Sequence, residues 1–288
     1  MPQLICDISQ SLMDALQTAA RANGETISHV VSRALADRLQ MEHATLFQVS
    51  TSGALVEGVL DGAVTVATLR EHGNFGLGTY VDLDGEMIVL DDEFYQIRSD
   101  GTVRLAEDGQ LAPFAVVTHF RPEKTVTLAL FATMAELCAQ LDAMRTSDNL
   151  FYAARLRGRF AHVHNRAACK VGPHETLVQA AAHQGEFHAD DVTGTMAGFW
   201  TPAYVKAIGV PGWHLHFLSD DHGFGGHVLG AAGEGIELAM EHVDDFRVAI
   251  PETAAFLKTD LSRDPSAVLD KAEKAREEAP GPTRARSD

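Results

Sequence analysis

The run GWHLHFLSDDHGFGGHVL, residues 212–229, holds four of the chain's 14 histidines. His214 and His216 lie two apart in an apolar, strand-like stretch, and side chains at i and i+2 of a strand share a face. Residues 219–226 form a polar, glycine-rich connection, and His227 opens a second apolar run. If the two runs pair as antiparallel strands, His227 projects beside His214 and His216. Three neutral imidazoles converging on one point hold a divalent metal and leave a coordination position open for substrate. Zinc is the expected ion, and the spacing leaves Fe, Mn, Co and Ni open. The competing reading is three ordinary strand histidines. His222, in the connection, reads as a solvent-facing or gating residue.

The elements around this run divide the chain into three zones. Residues 1–42 start with a short extended segment. Leu12, Ala15, Leu16 and Ala19 then follow helical spacing, Gly24 breaks the helix, and Ser28 is placed to cap a second one carrying Val30, Val31, Ala34, Leu35 and Leu39. This β-α-α segment resembles a ribbon-helix-helix unit, but its ribbon, residues 4–10, has no Lys or Arg. A dimer clasp or a simple packing pair of helices is therefore expected over DNA binding.

Residues 43–258 alternate short β-rich runs with turns. Runs are expected at 46–50, 78–83, 87–90, 94–98, 102–105 and 114–120, with Asp84-Gly85 and Asp100-Gly101 as hairpin turns. A helix is expected over Met134–Arg145, followed by β-rich stretches from Phe151 to Val163 and from Thr193 past Val228. Residues 259–288 are a polar tail with a helix over Ala267–Glu278 and a disordered end. The fold class is α+β: a β-rich mixed sheet or barrel body with few helices, plus the N-terminal segment.

Composition narrows the partners. In 288 residues, 45% are hydrophobic and 22% charged, the proportions of a globular protein. No apolar stretch is long enough to span a bilayer. With 23 Lys and Arg against 40 Asp and Glu, the formal net charge is −17, which repels phosphate backbones and anionic membranes. Nucleic acid and membrane are thus not expected partners. The N-terminus lacks the basic start and apolar block of a secretory signal, and the three cysteines are widely spaced with no CxxC. A reduced, cytoplasmic protein is expected. The stretch GNFGLG at 73–78 lacks the spacing and βαβ context of a nucleotide loop.

Longer stretches carry a resemblance. LFQVSTSGALVEGVLDG (46–62), HGNFGLGTYVDLDGEMIVLDDEFYQI (72–97), LAPFAVVTHF (111–120), NLFYAARLRG (149–158), GTMAGFWTPAY (194–204) and the histidine run are similar, in the same order, to the alpha-acetolactate decarboxylase family. The first 42 residues lie outside the resemblance.

The resemblance implies decarboxylation of 2-acetolactate to acetoin and CO2 through a metal-stabilised enediolate, with zinc on His214, His216 and His227. It also implies two glutamates near the metal. One is Glu86, in the LDGE turn; the other is best matched by Glu273, with Glu277 and Glu278 as competitors. It places an arginine at Arg166, to bind the substrate carboxylate, and Thr79 close by. Arg155 and Arg157 read as alternating strand residues. A homodimer is implied as well, and acetohydroxybutyrate is a plausible second substrate, because one methylene is only weakly discriminated. Two other classes compete: a metal-sensing DNA-binding regulator, and a different zinc enzyme, such as a hydrolase, on the same scaffold.

Overall fold

A computed structural model describes residues 5–39, 44–122, 124–172 and 184–273. The chain falls into two units, divided between residues 43 and 44.

In the first unit, helices α1 (Gln10–Asn23) and α2 (Ile27–Arg38) form on either side of Gly24. Ser9 caps α1 by accepting from the Leu12 N–H, and Gly24 closes it in the left-handed conformation at φ 68°. The cap of α2 is Thr26, whose hydroxyl accepts from the His29 N–H at 3.2 Å, so Ser28 lies inside the helix instead of before it. Residues 5–9 belong to no strand.

The second unit is α+β and sheet-rich. In chain order it contains β1 (Thr45–Val49), α3 (Ser52–Val56), β2 (Val64–Thr65), α4 (Val66–His72), β3 (Phe75–Thr79), β4 (Glu86–Leu90), β5 (Glu93–Ile97), β6 (Val103–Leu105), β7 (Leu111–Ala112), β8 (Phe114–Thr118) and β9 (Lys124–Thr127). Then follow α5 (Met134–Met144), β10 (Phe151–Ala167), β11 (Gly185–Thr201), β12 (Gly212–Ser219), β13 (Gly225–Gly233), β14 (Glu237–Val243), β15 (Asp245–Ala249), α6 (Ala254–Lys258) and α7 (Ser266–Glu273).

Two large sheets result. The first has seven strands in the order β15-β1-β8-β3-β4-β5-β6, antiparallel except for the β1–β15 pair. The second has the order β11-β12-β13-β10-β14-β9. Because β10 also pairs with β11, strands β10 to β13 close into a ring. Both Asp-Gly dipeptides turn hairpins, between β3 and β4 and between β5 and β6. The strand expected over Gly78–Leu83 is displaced. β3 ends at Thr79, and residues 81–83 form a turn with Asp82 and Leu83 at positive φ. Position 76 of β3 has to be glycine, because a Cβ there would lie 2.3 Å from the Val116 carbonyl oxygen.

Pleating distributes the core into layers. Leu46, Leu77 and Ile88 of the first sheet pack with Ala153, Phe199 and Leu218 of the second. The outer face of the first sheet covers Val66 and Leu69 of α4, and that of the second covers Leu137 and Leu141 of α5. Side chains with the parity of Ile88 and Leu218 therefore point into the space between the sheets.

Candidate active site

Strand parity sends both halves of the site into that space. On the first sheet, Thr79 and Glu86 are cross-strand partners in the β3–β4 ladder, and Glu86 shares its face with Ile88. On the second, His214 and His216 share their face with Leu218. His216 pairs with His227 across β12–β13, and His227 pairs in turn with Arg166 across β13–β10. A cavity of about 40 Å³ is lined by these six side chains together with apolar groups including Leu55, Leu83, Phe114 and Val210. A larger cavity of about 560 Å³, bordered by Tyr80, Arg104 and Lys170, contains none of the histidines.

The imidazoles converge. His214 Nε2 stands 3.2 Å from His216 Nε2 and 3.0 Å from His227 Nδ1. His216 Nδ1 lies 2.7 Å from the Met87 carbonyl oxygen, which can only accept, so Nδ1 carries the proton and Nε2 presents a lone pair to the site. Burial, reinforced by the charge of Arg166, pushes His214 down from 6.5 to about 3, so its ring is neutral at ordinary pH. Nitrogens bonded at zinc's usual 2.0–2.1 Å in a tetrahedron lie about 3.4 Å apart, so these separations need only a slight expansion to admit an ion. Converging imidazole nitrogens fit a divalent cation, and these three residues could hold one.

The flanking groups are held firmly. Glu86 is buried; its Oε1 accepts from the Ala168 N–H at 3.0 Å, and its Oε2 lies 3.7 Å from His216 Nε2. Thr79 Oγ1 donates to the Gly85 carbonyl at 2.8 Å, tying β3 to the turn that presents Glu86. Arg166 is buried and donates from Nη1 to Gln184 Oε1 at 3.0 Å, while Gln184 Nε2 donates to Glu186 Oε1 at 3.1 Å.

The other sequence candidates fall elsewhere. Arg155 reaches Asp91 at 3.5 Å and the Phe120 ring, and Arg157 is exposed. His222 sits in the β12–β13 turn at φ 55°, against the Tyr95 ring, and does not line the cavity. Glu273 ends α7, but its side chain lies outside the described residues, as do Glu277 and Glu278. Sequence reasoning missed Gln184 and the Ala168 N–H. No spacing rule could single out either, since both matter only through the fold.

The sequence profile of the family described as alpha-acetolactate decarboxylase matches residues 46–263. The chain belongs to the alpha-acetolactate decarboxylase family. Its relatives include the alpha-acetolactate decarboxylase of Methanosarcina mazei, 39% identical over 230 residues that cover 80% of each chain. That of Methylococcus capsulatus is 40% identical over 233 residues, 81% of this chain and 90% of its own. The crystal structure of alpha-acetolactate decarboxylase from Bacillus subtilis strain 168 superposes with a TM-score of 0.78 at 35% identity, covering 81% of this chain and 100% of the other.

Proposed function

We propose that this chain decarboxylates 2-acetolactate to acetoin and CO2, with a metal held by His214, His216 and His227. The observation that carries the reading is the convergence of those three ring nitrogens beside Glu86 and Arg166 in one cavity, in a chain of this family. Three neutral imidazoles suit zinc. When bound, the metal supplies Lewis acidity to the oxygen on which negative charge develops.

This chain's own residues would do the rest. The carbon–carboxyl bond breaks, its electron pair moves toward the neighbouring ketone, and the carbon left behind takes a proton. Arg166 offers the carboxylate a fork of donors, with Gln184 fixing one end of the fork. Glu86 handles the proton at Oε2, since Oε1 is occupied by the Ala168 N–H. Thr79 steadies the turn that carries Glu86. Leu55, Phe114 and Val210 keep water from the reacting carbon. The chain has further proposed parts: residues 1–42 as an added segment, 43–258 as the catalytic body, and a tail from 259 whose Glu273 closes the site.

We also assign the protein to the cytoplasm as a homodimer acting on a small molecule rather than on nucleic acid. The charge of −17 supports the last point. No helix among the described residues is long and apolar enough to cross a membrane. For residues 1–42, a ribbon-helix-helix-like clasp between two copies is supported by Ile5, Leu12, Leu35 and Leu39, large apolar side chains left exposed there.

The test is acetoin formation from 2-acetolactate by the protein as isolated, after chelation and after zinc is restored, beside His214→Ala. The reading requires activity that disappears with chelator, returns with zinc and is missing from the variant. Metal bound at one per chain without acetoin would refute it.

A further inference from the structure

The β10–β11 hairpin concentrates metal-ligating side chains on one face, and those side chains lie outside the cavity lining. In its ladder His162 faces Asp190, His164 faces His188 and Arg166 faces Glu186. Alternation puts all six side chains on the same side of the two strands. Five of them are of metal-ligating types, and only Arg166 reaches the cavity.

We propose that this face is a second divalent-cation site, taking an ion of the zinc class on His162 and His188. Asp190 Oδ1 lies 2.6 Å from His162 Nδ1. A carboxylate accepts, so Nδ1 holds the proton and Nε2 turns a lone pair outward. That Nε2 stands 3.4 Å from His188 Nδ1. The separation is that of two nitrogens on a tetrahedral zinc at about 2.0–2.1 Å bond length. It is also long for a hydrogen bond.

A carboxylate behind a ligating histidine is the usual outer support of a metal site. The second ring is supported too. His164 stacks on His188 with centroids 4.0 Å apart and planes 16° from parallel, and His164 is itself tied to Glu186 at 3.1 Å. His162 is 39% exposed, so water completes the coordination sphere. With two protein ligands instead of three, the site is weaker than the buried cluster. The acidic protein surface draws cations toward it. Bound there, an ion clips the two arms of the hairpin whose closed end carries Arg166. The inference does not depend on the reaction assigned to the cavity.

Equilibrium dialysis of the full chain against Zn2+, with metal counted per chain, tests it. The expected result is two zinc ions at saturation in two affinity classes. His162→Ala with His188→Ala removes the weaker class and keeps the tighter, whereas His214→Ala does the reverse. Asp190→Asn, which leaves both ligands and the backbone in place, weakens the second class about tenfold or more; it also guards against a double variant that fails to fold. One zinc per chain at saturation overturns the proposal. So does a second zinc that survives the double substitution, or one indifferent to Asp190→Asn. Loss of acetoin formation bears on the buried cluster alone.

Discussion

Replacing Glu86 by Gln separates chemistry from architecture. Glutamine has the same length, and its carbonyl oxygen can take over the Ala168 N–H that Glu86 Oε1 accepts at 3.0 Å. The amide nitrogen then falls where Oε2 now lies, 3.7 Å from His216 Nε2. Volume and burial are unchanged, so no cavity opens. A hydrogen bond to a charged acceptor contributes about 1.5–3 kcal/mol and a neutral one about 0.5–1.5, so stability should fall by about 1 kcal/mol. For a chain of this size that is a shift of about 2–4 °C in Tm. All three imidazoles remain, so bound zinc should stay near the wild-type count. The catalytic loss is much larger if Glu86 handles the proton: general acid–base groups contribute about 10²–10⁴ in rate, or roughly 3–5 kcal/mol. The assay is initial-rate acetoin formation at saturating 2-acetolactate, with zinc content and melting temperature measured on the same preparation. A variant that keeps its zinc, melts as expected and turns over at the wild-type rate would remove Glu86 from the chemistry. A variant that loses its zinc would make Glu86 a ligand instead of a proton carrier.

Three further expectations follow from the geometry. In metal-free protein, His214 is depressed to about 3 by burial and by the charge of Arg166, so between about pH 6.5 and 3 the unfolded chain binds more protons than the folded one. Stability from this group is complete above that window and falls through it by up to about 1.4 kcal/mol per pH unit; urea midpoints of chelated protein should decline accordingly, and less steeply in His214→Gln. Gln184→Ala removes the acceptor that fixes Arg166 Nη1 and should raise KM for 2-acetolactate about three- to tenfold with kcat little changed; an unaltered KM would mean that Arg166 does not need this support. Gly226 sits at φ 134°, where a Cβ would lie 2.3 Å from the Arg166 carbonyl oxygen. Gly226→Ala should therefore cost about 1–3 kcal/mol or more and lower Tm by several degrees in calorimetry.

The sequence made the histidine hairpin readable because its signals are local. Alternation puts His214 and His216 on one face, a glycine-rich turn follows, and the next apolar run places His227 directly opposite His216. The helix over residues 134–145 was legible for the same reason, as an apolar period with Thr133 as its cap. Shorter elements were not. Helices α3 and α4 have five and seven residues, too few for a helical period to stand out, although Thr51 and Thr65 cap them.

The long hairpin shows a different obstacle. β11 begins at Gly185, eight residues before the apolar pattern starts at Thr193, and β10 runs four beyond Val163. Those arms are lined with His, Arg, Asp and Glu, and a strand whose alternation is polar against polar gives no hydrophobic signal.

The arginine illustrates what only tertiary structure decides. Arg155, Arg157 and Arg166 lie on one strand with similar neighbours, and their chain positions alone do not rank them. A register shift between His164 and Asn165 in the β10–β13 ladder sets Arg166 opposite His227. One added residue in a ladder re-aims the side chains that follow it. The extra residue here, Leu229, lies in β13, so the irregularity brings His227 opposite Arg166, while Arg166 itself continues the face of His162 and His164 along β10. Between its outer end and the cavity this hairpin changes from a hydrated, ligand-rich surface to a buried clamp. For that reason, a substitution at Gln184, where the two regimes meet, should be felt in substrate affinity, while one at Asp190 should not.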